Sequence, residues 1–104
     1  MDYNSFKSRV GQLIEERKSF HPNDDLRTYK YWEEISDFMA ADEISTIKFL
    51  EECDKETASW MSEVFEDLSE RLKSNKFIDC LERLAKRFPD QNLESFIQDA
   101  RSFL

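Results

Sequence analysis

Residues 57–73, TASWMSEVFEDLSERLK, decide the fold class, because their apolar and charged positions separate at the period of an α-helix. On a wheel advancing about 100° per residue, Met61, Val64, Phe65, Leu68 and Leu72 fall within an arc of about 100°. Glu63, Glu66, Asp67 and Glu70 fill the opposite side. The pattern predicts a helix over 57–73 with one buried stripe and one wet one. The four carboxylates stand at i, i+3, i+4 and i+7, so neighbours repel by roughly 0.2–0.5 kcal/mol per pair. Burying the apolar arc outweighs that repulsion.

The same period recurs on both sides. Phe6, Val10, Leu13 and Ile14 predict a helix over 4–18, with Asn4 or Ser5 as its N-cap. FHPNDD, residues 20–25, combines proline, asparagine and two aspartates and predicts a loop. In a helix over 28–40, with Thr28 as candidate cap, Trp32, Ile35, Phe38 and Met39 point inward while Glu33, Glu34 and Asp37 project from the other side. Asp42 caps a helix over 43–53 with a stripe of Ile44, Ile47 and Leu50. Phe77, Leu81, Leu84 and Phe88 predict a helix over 75–88 that Pro89 stops. From a cap at Asn92, Leu93, Phe96, Ile97, Ala100 and Leu104 share a last face. No segment alternates at period two for more than a few residues. The expected fold is all-α, a compact single domain over 1–104 with five or six amphipathic helices, as a bundle or as stacked helix pairs.

Composition agrees with one small core. In 104 residues there are one glycine and two prolines, with 39% apolar and 37% charged residues, which describes a globular chain rather than a disordered one. The N-terminal stretch carries charges throughout and no long apolar run, so neither a signal peptide nor a membrane span is expected, and the cytoplasm is the expected compartment. Cys53 and Cys80 lack the C-x-x-C spacing of metal or redox sites and are expected as two reduced structural thiols.

Few catalytic constellations fit. A single histidine excludes H-E-x-x-H zinc motifs, and a single glycine excludes Gly-rich phosphate loops. His21 sits in the proline-containing loop, without a signature pairing it to Cys80 or Ser19 as nucleophile. Asp24 and Asp25 lack the glycine-bearing calcium loop. The expectation is a protein that is not an enzyme, with no catalytic residues, metal or cofactor.

Charge is the informative feature. The net charge is −8, yet residues 33–70 hold thirteen carboxylates against Lys48 and Lys55, a net of −11, while 1–32 sum to +1 and 71–104 to +2. A negative surface argues against direct nucleic-acid binding, since a phosphate backbone requires a basic one. Exposed helices usually intersperse both signs, but Glu63, Glu66, Asp67 and Glu70 have only Arg71 and Lys73 within helical reach. A charged face can simply be solvated. Here the imbalance points to a docking surface for a basic protein, drawn in by long-range attraction. The candidate partner-binding residues are Trp60, Glu63, Glu66, Asp67 and Glu70, extended by Glu33, Glu34 and Asp37 if that helix packs alongside. Trp60 lies outside the apolar arc next to Asp67, where it either completes the core edge or anchors an interface. If the surface binds, reversing Glu63 and Asp67 to lysine should weaken binding by orders of magnitude and leave the fold intact.

SEVFEDLSERLKSNKFIDCLERLAKRFPDQNLESFIQDA, residues 62–100, resembles small acidic immunity proteins of bacterial polymorphic-toxin and contact-dependent inhibition systems. That resemblance implies a compact, often helical domain that neutralises a co-produced toxin directly, commonly by laying an acidic surface over a nuclease's basic cleft. The tyrosine pair of the colicin DNase immunity proteins is absent: in TYKYW, Lys30 separates Tyr29 from Tyr31 and no proline follows. No binding residue is therefore carried over from the family. Two alternatives stay open, a helical adaptor that takes a partner helix in an apolar groove and would tolerate the charge reversals, and an acidic DNA mimic that duplex DNA would compete away.

Overall fold

In the computed structural model, which describes residues 2–104, five of the seven α-helices begin where a short polar side chain satisfies a free backbone N–H by a hydrogen bond. Asp2 accepts from Ser5 N–H ahead of α1 (Tyr3–Lys18), and Asp24 from Arg27 N–H ahead of α2 (Asp25–Ala40). Asp42 accepts from Ser45 N–H ahead of α3 (Glu43–Glu52), and Asp54 from Thr57 N–H ahead of α4 (Lys55–Met61). Ser74 does the same for Phe77 N–H ahead of α6 (Asn75–Arg87). These bonds hold the carboxyls of Asp2 and Asp42 below the ordinary aspartate range, and the Thr57 side chain, with its backbone N–H, does the same for Asp54. The remaining helices are α5 (Phe65–Leu72) and α7 (Glu94–Arg101).

The expected helix over 57–73 is broken. α4 ends at Met61, a 3₁₀ turn covers Ser62–Val64, and α5 resumes at Phe65. Ser62 Oγ donates to the Ser59 carbonyl at 2.6 Å, a local bond that competes with helix continuation, and Val64 is β-branched. Met61, Val64, Phe65 and Leu68 are nonetheless all fully buried, as the apolar arc requires, and Leu72 is half-buried. Counting this run as one broken helix gives six among the described residues.

α3 departs from its expected register. Ile44 is 83% exposed, whereas Ser45, Thr46, Phe49 and Leu50 are buried. Small polar residues face inward because their hydroxyls are satisfied locally: Ser45 Oγ donates to Asp42 at 2.8 Å and Thr46 Oγ1 to the Met39 carbonyl at 2.7 Å. At the other end of α3, the Arg87 guanidinium donates to the carbonyls of Glu51 and Cys53, which closes the helix from across the α3/α6 seam. Asn92 does not cap α7. It adopts the left-handed conformation (φ 53°) that ends a second 3₁₀ turn, Pro89–Gln91, and α7 starts after Leu93. Leu104 lies beyond α7 and is exposed. Cys53 and Cys80 are free thiols, and burial pushes the Cys80 thiol up to about 12.

α2 lies at the centre of the packing. It touches α1, α3, the 3₁₀ turn at Ser62–Val64 and α5, while α3 packs on α6 and α5 on α7. One core joins them all, built around Phe6, Leu13, Ile35, Met39, Phe65, Phe77 and Leu81. The Cα radius of gyration is 13.0 Å, as expected for a close-packed chain of this length. Among the described residues, no helix is long and apolar enough to cross a membrane.

Gly11, the chain's only glycine, sits in the middle of α1, and a Cβ built there meets nothing within 4 Å. Helix-interior glycine costs about 0.5–1 kcal/mol relative to alanine. Gly11→Ala is therefore expected to raise the stability measured by chemical denaturation by about that amount. A loss of stability would show that α1 needs the glycine for a reason other than space.

Candidate partner-binding surface

Trp60 and the seven carboxylates singled out in the sequence are not all free for a partner. Long-range packing, invisible to a helical wheel, sorts them into three groups.

The first group is internal. Glu63 lies in the 3₁₀ turn, where residues advance by roughly 120° rather than 100°, so a wheel of single period misplaces it. Arg17, near the end of α1, grips it with two hydrogen bonds, Nε at 3.0 Å and a terminal nitrogen at 2.8 Å. The two side chains are only 19% and 23% exposed. Trp32 Nε1 donates to the same carboxylate at 3.4 Å, and the Arg17 guanidinium lies over the Trp60 ring, 5.3 Å from its centroid. Trp60 is half-buried against the core. Glu63 is thus a neutralised tie between α1, α2 and the 3₁₀ turn rather than a free interface charge. That corrects the expectation that it lacks a compensating base.

Close by, the Tyr31 hydroxyl is buried without a hydrogen-bond partner among the described residues. Burial, with the Glu63 charge adding to it, pushes that phenol above the ordinary tyrosine range. It stays neutral.

The second group seals helix seams. Glu34 pairs with Arg9 of α1 at 2.6 Å. Glu33, at 3.5 Å, and Asp37 both pair with Arg71 of α5. These pairs confirm that α2 packs beside α5, and they show that its acids are compensated from neighbouring helices. They remain largely open to water, so each adds little to stability.

Glu66, Asp67 and Glu70 form the third group. Glu66 and Glu70 are exposed and Asp67 half-exposed, and none makes an ion pair among the described residues. Arg71, the base nearest in sequence, is turned toward α2. Three adjacent carboxylates on an eight-residue helix therefore keep their charge for solvent or for a partner.

Sequence reasoning missed one feature of this side of the molecule. Leu26 and Tyr29, near the start of α2, are 66% and 60% exposed. The only available signal was their spacing on the polar side of α2, which the charge count passed over. Among the described residues, no group of three or more His, Cys, Asp and Glu side chains could hold a metal ion. No family model, curated protein or solved structure matches the chain.

Proposed function

We propose that this chain is a non-enzymatic inhibitor of the immunity type, which binds a basic toxin domain and blocks it through the α5 face and the adjoining edge of α2. One observation carries the reading: Glu66, Asp67 and Glu70 stay unpaired in a chain that pairs Glu63, Glu34, Glu33 and Asp37 internally. A small protein that otherwise pairs so many of its carboxylates leaves this cluster open, and an open cluster of one sign attracts the opposite sign over about a Debye length, about 8–10 Å at ordinary salt. The likeness of residues 62–100 to acidic immunity proteins supports the same class of partner, and a nuclease with a phosphate-gripping cleft suits it chemically.

The test is co-expression with the basic product of the neighbouring reading frame, scored by survival and by calorimetric titration of the purified pair. Reversing Glu66, Asp67 and Glu70 together to lysine should weaken binding about a hundredfold and flatten its salt dependence. The helical circular dichroism spectrum should not change, because these side chains have no partner to lose. Equal affinity for the reversed protein would remove α5 from the interface.

A further inference from the structure

We propose that Tyr29, with Asp25 one turn before it and Glu33 one turn after it on the same face of α2, is a receptor for an arginine side chain of the basic partner. This inference rests on the inhibitor reading and extends its surface from α5 to the N-terminal half of α2.

Asp25, Tyr29 and Glu33 are spaced four residues apart within α2, so their side chains line up along one strip of the helix. All three are exposed. Trp32 supports the tyrosine from one side, ring centroids 5.5 Å apart and tilted at 57°, and is itself fixed by its hydrogen bond to Glu63. Tyr29 therefore stands in water as a braced ring between two carboxylates. Folding does not require it there, since the core closes beneath it through Tyr31, Ile35 and Met39.

A guanidinium suits that arrangement better than an ammonium. Its planar face stacks on an aromatic ring while its N–H groups reach carboxylates at the edge. The molecule already holds one arginine by the same chemistry, because Arg17 lies over Trp60 while Glu63 binds it with both oxygens. Asp25 makes no ion pair among the described residues, and an incoming arginine shares Glu33 with Arg71. Arg27 is drawn to the Phe20 ring at 5.2 Å and to Asp24 at 3.8 Å, and Arg71, which pairs with Glu33 at 3.5 Å, also holds Asp37. Leu26, at the strip's edge, offers apolar surface to the arginine's methylene stem.

The experiment titrates the full chain with capped hexa-arginine and hexalysine peptides at low salt. Hexa-arginine should bind about threefold to fivefold more tightly, a margin set by stacking on an exposed ring. Tyr29→Ala should abolish that margin while leaving hexalysine affinity unchanged, and Asp25→Asn with Glu33→Gln should narrow it. The triple lysine reversal on α5 should weaken both peptides alike. Equal affinity for the two peptides, or a preference that survives Tyr29→Ala, overturns the arginine receptor while leaving the inhibitor reading standing. Binding of neither peptide, or binding indifferent to the α5 reversal, overturns the charged surface on which both depend.

Discussion

Glu63→Lys is expected to destabilise the fold by about 3 kcal/mol, the low end of the cost of breaking a buried ion pair from one side. The low end applies because both partners keep about a fifth of their surface exposed. Arg17 would lose both hydrogen bonds and face a second cation while still lying over Trp60, and Trp32 Nε1 would lose its acceptor. At roughly 4–8 °C per kcal/mol for a domain near this size, the melting temperature should fall by at least about 12 °C. Glu63→Gln, which keeps an acceptor for Arg17, should lose less, and Glu66→Lys should change little, since Glu66 has no partner in the fold. A melting temperature for Glu63→Lys no lower than that for Glu66→Lys would show that the Arg17 tie contributes nothing. The comparison also guards the functional test: weak binding by Glu63→Lys would report unfolding, whereas weak binding by the α5 reversal would report the surface.

Much of the fold was legible because amphipathic periodicity is a local property. The helices over 4–18 and 75–88, the Asp42 cap and the loop at 20–25 can all be derived from residues within two turns of one another. The errors come from local hydrogen bonding and backbone preference that hydrophobic periodicity does not register. Hydrophobicity alone favours Ile44 inward, yet Ser45 and Thr46 take the buried face through hydrogen bonds to Asp42 and to the carbonyl of Met39 in the preceding helix. Asn92 looked like a cap, yet its tolerance of the left-handed region served the end of a turn.

The candidate site is less legible, for a different reason. Helical reach covers bases only three or four residues away, but Arg17 lies 46 residues from Glu63, Arg71 lies 34 from Asp37, and Arg9 lies 25 from Glu34. Ion pairs between helices follow topology, and topology is not a property of one helix. Glu66, Asp67 and Glu70 are the part of the charge argument that tertiary structure leaves intact.

Phe65→Ala should cost about 4 kcal/mol, within the range for deleting a fully buried phenylalanine ring. Phe65 has no exposed surface, opens α5 directly after the 3₁₀ turn, and meets Phe96 of α7 edge to face, with centroids 6.3 Å apart and planes at 88°. Two elements depend on it, because α5 and α7 share one of the largest seams in the molecule. Removing the ring leaves α4 and α5 joined by a turn whose hydrogen bonds are local, with less to hold α5 at its angle to α7. Since domains of this kind are stable by only about 5–15 kcal/mol, such a loss removes a large share of the total. Phe96→Ala, at a half-buried site, should cost less. The double variant should cost less than the sum, because the edge-to-face contact is lost only once. Strict additivity in denaturant titrations would mean that the two rings contribute separately to the core, and the α5 face would then be held in place by Leu68 and the α2 seam instead.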